Sequence, residues 1–170
     1  MVEKFLIDSN SFITPYRQYY APDLVPTFWK KLSIAAKSGR LVLLDMVKDE
    51  IDKGQDDLND LVSEQSGFVV CNHKSKEIVC KYQEILQYMQ TCGFYKEDAL
   101  RTWSNTKVAD PWLIAAASVN DYTIITLEVS SGGLNKSTPS KNAKIPDVAK
   151  KFGVKTNNLY YMMRQLEINI

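Results

Sequence analysis

The chain has 170 residues, of which 45% are hydrophobic and 24% charged, and its 21 Lys and Arg against 20 Asp and Glu leave a formal net charge of +1. A chain of this length buries enough surface for one sizeable core without disulfides or a structural metal, which excludes a disordered or fibrous protein. Neutrality excludes a generally basic nucleic-acid coat, but only as a sum: residues 45 to 64 hold eight acidic residues and two lysines, and residues 136 to 155 hold six lysines and one aspartate.

The three cysteines, Cys71, Cys80 and Cys92, form no CxxC pair, so neither a disulfide framework nor a four-thiolate zinc site is assembled from them. The first residues, MVEKFLIDSN, lack the basic start and long apolar middle of a signal peptide. The longest apolar run, Trp112 to Ala117, is far below the roughly 20 residues that cross a bilayer. A cytoplasmic protein with no membrane partner is expected.

In chain order, Phe5-Leu6-Ile7 reads as a buried strand breaking at Asp8 into a turn or helix start through Ser9-Asn10-Ser11. Between Val25 and Ser38, Phe28, Leu32, Ala35 and Ala36 recur at helical spacing, with Pro26 suited to a first turn and Gly39 to the stop. Leu41 to Leu44 is a second buried strand, and Asp45 begins an acidic helical stretch through Glu64 that Gly54 breaks or bends. Phe68-Val69-Val70 predicts a third strand, and Ser75 to Gln90 a helix with Ile78, Tyr82, Ile85 and Met89 on one stripe. A shorter helix over Lys96 to Trp103 precedes another opened by Asp110-Pro111, and Ile124-Ile125-Thr126 is the fourth strand. Residues 129 to 143 form a Gly/Ser/Pro-rich loop, followed by a short helix over Asp147 to Phe152 and a last one over Asn158 to Glu167.

Short apolar strands alternating with helices imply an α/β class. The expectation is a single domain over residues 1–170, with a mostly parallel sheet of about four to five strands flanked by helices. In such sheets sites gather beyond the carboxyl ends of the strands. Asp8, Glu50, Asp110 and Glu128 come to that edge from four separate segments. Hard oxygen donors without His or Cys suit Mg²⁺ or Mn²⁺, and the chemistry they imply is metal-assisted phosphoester cleavage. Each residue also has a plainer reading. Asp8 and Asp110 are preferred helix-cap types, Glu50 lies on a solvated acidic face, and Glu128 simply follows a strand.

The segments FLIDSNSFI, VKDEI, KVADPWLIAAA and TIITLE, in this order and spacing, resemble the PIN-domain nucleases. A bacterial PIN-like subfamily is matched further by YYAPDLVPTFWKKL and KIPDVAKKFGVKTNNLYYMMRQL, so the resemblance covers nearly the whole chain. It implies a metal-dependent ribonuclease, often the toxin of a toxin-antitoxin pair. It also implies that Asp8, Glu50, Asp110 and Glu128 hold Mg²⁺ or Mn²⁺, with Asn10 and Thr126 as polar supports. PIN domains commonly carry Asp-rich sequence after the fourth strand, whereas this chain has Thr126-Leu127-Glu128, and Asp147 is a reserve acid for the same site.

The expected partners are an RNA substrate and a co-encoded antitoxin, with a homodimer as a further possibility. The basic stretch offers Lys141, Lys144 and Lys150 as phosphate contacts, against the plainer reading of a solvated face. Two other functions stand as alternatives: a non-catalytic RNA- or protein-binding domain, and a metal-dependent phosphatase. A haloacid-dehalogenase site is disfavoured because Asn10 stands where its second Asp is needed. His73, the lone histidine, reads as a surface polar residue, and Trp29, Trp103, Trp112 and Tyr160-Tyr161 read as packing residues. Tyr16, Tyr19 and Tyr20 lie in a polar stretch open to RNA or a partner.

Overall fold

The computed structural model describes residues 2–54, 57–62 and 67–170. Five strands form one sheet: β1 (Phe5–Ile7), β2 (Leu41–Leu44), β3 (Val69–Cys71), β4 (Thr123–Ile125) and β5 (Thr156–Asn157). Their order is β3-β2-β1-β4-β5 and every pairing is parallel. The expected α/β class, with its parallel sheet flanked by helices, is therefore what the chain adopts.

The central strands are buried on both faces: Phe5, Leu6, Ile7, Leu41 to Leu44, Ile124 and Ile125 are all 0% exposed. Burial on both faces explains why these segments are unbroken apolar runs instead of alternating ones. The third strand begins one residue later than predicted and is an edge strand, with Val69 and Val70 exposed. The second edge strand, β5, consists of two polar residues and has no apolar signature.

The helices are α1 (Asn10–Thr14), α2 (Pro26–Lys37), α3 (Asp45–Asp52), α4 (Leu58–Val62), α5 (Lys76–Thr91), α6 (Glu97–Trp103), α7 (Asp110–Asn120), α8 (Ile145–Lys151) and α9 (Leu159–Gln165). The acidic stretch splits at Gly54 as its composition predicts; Asp56 and Glu64, counted within it, lie outside the described residues. α7 is apolar all round and buried from Pro111 to Ala117, and α5 lays Ile78, Tyr82, Ile85 and Met89 against it. Gly67 holds φ +86°, and a Cβ there would lie 2.9 Å from the Lys37 backbone, so no larger residue fits beside the end of α2.

A π-helical turn at Pro15–Tyr19 continues α1. Here Tyr16 packs edge-on against Trp29 and Tyr20 against Phe28, while Tyr19 is exposed. Two of the three tyrosines left open as partner contacts thus serve packing. Trp29, Trp103 and Trp112 are buried as expected, whereas Tyr160 is exposed. No helix among the described residues is long and apolar enough to cross a membrane.

The strand order reverses between β1 and β4. The chain steps from β1 through β2 to β3 on one side, then returns to the other side for β4 and β5. A crevice opens at such a switch point beyond the carboxyl ends of the two diverging strands, and here Asp8 follows β1 while Thr126 follows β4.

Candidate active site at the carboxyl edge of the sheet

The Asp8 backbone N–H donates to the Ile125 carbonyl at 2.9 Å, so parallel pairing with β4 carries past the end of β1. That register sets the Asp8 carboxylate beside Thr126, whose hydroxyl donates to Asp8 Oδ2 at 3.0 Å. Thr126 Oγ1 in turn accepts the Glu128 backbone N–H at 3.1 Å, which turns the chain after β4. Ser11 fixes the same corner from α1, its hydroxyl donating to the Ile125 carbonyl at 3.2 Å. Asp8, Ser9, Ser11 and Thr126 make up four of the five buried polar side chains among the described residues. Thr126 is thus bonded directly to Asp8, and Asn10 stands exposed on α1 and lines the same cleft.

Burial pushes the Asp8 carboxyl up to about 6; the Thr126 hydroxyl opposes that rise, and the charges of Glu128 and Glu50 add to it. The Asp110 carboxyl is likewise raised to about 6, by burial first and then by Asp8 and Glu128, with Lys144 opposing and Glu50 adding a smaller push. Glu50 and Glu128 thus lie within electrostatic reach of both aspartates. Neither aspartate occupies a helix-capping position, which corrects the plainer reading of both: Ser9 and Ala109 do, without side-chain cap bonds.

The other sequence candidates are placed differently. Glu128 has both carboxylate oxygens engaged, Oε1 by Lys144 Nζ at 2.9 Å and Oε2 by the Ile145 backbone N–H at 2.7 Å. Lys144 is accordingly ion-paired, whereas Lys141 and Lys150 are exposed. Asp147 turns toward the loop, accepting hydrogen bonds from the Ser130 hydroxyl and from Ser131 N–H and Oγ. Burial raises its carboxyl, but those bonds and Lys144 outweigh that and hold it below the usual carboxylate value. Asp147 thus staples the Gly/Ser loop to α8.

A cleft of about 330 Å³ is lined by Asp8, Asn10, Thr14, Leu127, Glu128, Val129 and Lys144. Larger clefts lie at the amino ends of β1 and β4 (about 610 Å³) and between Phe94 and the lysines of α8 (about 700 Å³). Neither contains the raised carboxyls, and perturbed acids in a cleft are the stronger mark of chemistry.

The all-oxygen donors, with two carboxyls that resist ionising beside one another, fit a hard divalent cation that would relieve their repulsion. Asp8 and Asp110 carry the donor chemistry for that role. Glu128, held by a lysine, fits it less well, and among the described residues no three His, Cys, Asp or Glu side chains are grouped closely enough to hold a metal ion.

One pair was missed from the sequence. Asp45 ends β2 as Asp8 ends β1, and His73 Nδ1 lies 2.8 Å from both Asp45 oxygens. His73 is half-buried, its ring edge-on to Trp112 at 5.0 Å, and Trp112 stacks on Tyr82 at 3.7 Å. It is therefore not the surface polar residue that its neighbours in sequence suggest. The rule that sites follow strand ends would have found Asp45; its pairing with His73 depends on β2 and β3 being neighbours.

Neither the curated proteins nor the solved structures contain a match to this chain. Residues 5–170 match a family model, so the chain belongs to the family described as Domain of unknown function (DUF4411).

Proposed function

We propose that this protein is a metal-dependent endoribonuclease, the toxin component of a bacterial type II toxin-antitoxin pair, acting in the cytoplasm. The observation that carries the reading is the pair of buried carboxyls, Asp8 after β1 and Asp110 at the start of α7, which burial first, and then neighbouring acidic charge, raise to about 6. The resemblance of FLIDSNSFI, VKDEI, KVADPWLIAAA and TIITLE to PIN-domain nucleases supports the same conclusion.

Asp8, Asp110 and Glu50 are the residues that would hold Mg²⁺ or Mn²⁺. A bound cation of this kind supplies an acidified water and neutralises charge on a phosphate ester. Thr126 keeps the Asp8 carboxylate oriented through its hydroxyl. Asn10, at the cleft mouth, offers an amide to a sugar or phosphate oxygen. Lys141 and Lys150 are exposed charges available to the RNA backbone. An antitoxin would cover this edge of the sheet, and a homodimer remains compatible with the reading.

The test is cleavage of RNA by the purified chain with Mg²⁺ or Mn²⁺, with and without excess chelator, beside Asp8→Asn. The reading expects cleavage that stops in chelator and in the variant. Activity that persists in both refutes it.

A further inference from the structure

We infer that the groove between Phe94 and the lysines of α8 binds a segment of single-stranded RNA, stacking a base on Phe94 and meeting phosphates with Lys136, Lys150 and Lys151. The inference rests on the ribonuclease reading only for the strand being RNA; the groove lies outside the carboxylate cleft and uses neither Asp8 nor Asp110.

The groove is built from segments far apart in the chain. The turn after α5 and the Gly/Ser loop are hydrogen-bonded to each other: Ser140 N–H donates to the Phe94 carbonyl at 2.9 Å, and Lys96 N–H donates to the Ser140 carbonyl at 2.8 Å. Asp147 holds the start of the same loop through Ser131, so the loop is tied at both ends. Between these ties lies a space of about 700 Å³, lined by Phe94, Gly132, Gly133, Leu134, Lys150 and Lys151 among others, within the usual size of a ligand cleft. A Cβ on Gly93 would lie 3.5 Å from Lys136 Cγ, so the Lys136 stem runs across Gly93 toward the neighbouring ring.

Three rings here carry an ammonium near their faces. Lys136 Nζ stands 5.8 Å from the Phe94 centroid, Lys151 Nζ 5.7 Å from that of Tyr88, and Lys81 Nζ 6.0 Å from that of Phe152, which meets Tyr88 edge-on. Lys136, Lys150 and Lys151 are exposed and have no ion pair among the described residues. The acids beside them are engaged already, Asp147 by the loop serines and Glu84, one turn before Tyr88, by Lys81. Three unpaired cations around a half-buried ring match a ligand with repeated negative charge and a flat face. An acidic polypeptide has the charge without a planar group at each residue; a nucleotide strand has one of each per unit. A duplex keeps its base faces stacked inside, so only an unpaired strand lays a base on Phe94. Val129 lines the carboxylate cleft and Ser130 this groove, so one strand crosses from the first to the second over a single peptide bond.

Fluorescence anisotropy of a labelled single-stranded RNA of about ten nucleotides, bound to the full chain in excess chelator, tests the groove without cleavage. Phe94→Leu keeps an apolar side chain and removes the ring; it should weaken binding about fivefold or more, with recovery in Phe94→Tyr. The same variant should bind duplex RNA of equal length as wild type does. Lys136→Ala with Lys151→Ala should weaken binding of the single strand and lower its salt slope by about 0.7–1 per lysine. No binding by wild type, or wild-type affinity in either variant, overturns the proposal, as does an equal loss of duplex binding in Phe94→Leu. Displacement of the RNA by poly-glutamate at equal charge also overturns it and assigns the groove to an acidic polypeptide. A chain that binds RNA with the expected pattern yet cleaves none with Mg²⁺ or Mn²⁺ upholds the groove and removes the ribonuclease reading. A chain that cleaves RNA while both variants bind like wild type removes the groove and keeps that reading.

Discussion

Two acids end neighbouring strands of the same sheet and meet opposite fates. Asp45, after β2, finds His73 across β3 and the N–H of Met46, and the pair rests against a stacked Trp112 and Tyr82. Asp8, after β1, meets a threonine hydroxyl and other carboxylates, and its carboxyl rises to about 6. A paired acid contributes to the fold and asks for nothing more. An acid raised by burial and by like charges costs the fold stability, and that cost is the mark of a site built for something positive.

The largest expected effect breaks that contrast at its sharpest point. Asp110→Asn is expected to reduce RNA cleavage by about a hundredfold or more, since on the proposed reading it removes a charge that would hold the cation. His73→Phe should leave cleavage unchanged. Equal losses in the two variants would mean that the two strand-end clusters do not differ in role.

The second prediction concerns stability and pH. Asp8 and Asp110 move from an ordinary 3.8 to about 6 in the folded chain. Below about pH 3 both are protonated whether or not the chain is folded. Between about 4 and 6 the folded state retains protons that the unfolded chain has released, so stability falls as pH rises through that window and stays lowered above it. Asp8→Asn removes its share of this deficit and should stabilise the cation-free protein at pH 7 by about 1–3 kcal/mol, read from denaturant midpoints. The gain should shrink as pH falls and vanish near pH 3; a variant less stable than wild type at pH 7 contradicts the assignment.

Asp45→Asn should show the opposite sign, losing about 1 kcal/mol or less at pH 7, because the pair with His73 is partly exposed to solvent screening. The smallest effect belongs to the exposed lysines. Lys141→Ala with Lys150→Ala should weaken RNA binding in chelator and reduce the salt slope by about one per lysine. An unchanged slope assigns them to a solvated face.

Much of this contrast is legible in the residues. Phe5-Leu6-Ile7 and Leu41 to Leu44 declare themselves as strands because a sheet covered on both faces demands unbroken apolar runs, and the acids that follow mark the edge where chemistry collects. Thr156-Asn157 carries no such signal, for its pairing to β4 uses backbone groups and needs no apolar side chain. The edge position of Val69 and Val70 is equally silent, since an exposed β-branched strand reads like a buried one. For the proposed site, position and type nominate Asp8, Glu50 and Asp110, and only the resemblance to PIN-domain nucleases makes the set specific. The grip of Lys144 on Glu128 does not, because it spans the whole Gly/Ser loop and depends on how Asp147 staples that loop to α8.

The central claim is that the raised carboxyls await a cation, and thermal unfolding with and without Mn²⁺ tests it most directly. At Mn²⁺ about a hundredfold above its dissociation constant, wild type should gain about 2.7 kcal/mol, a rise of several degrees in Tm, while Asp8→Asn gains little. An equal shift in both proteins, or none in wild type, would contradict the account.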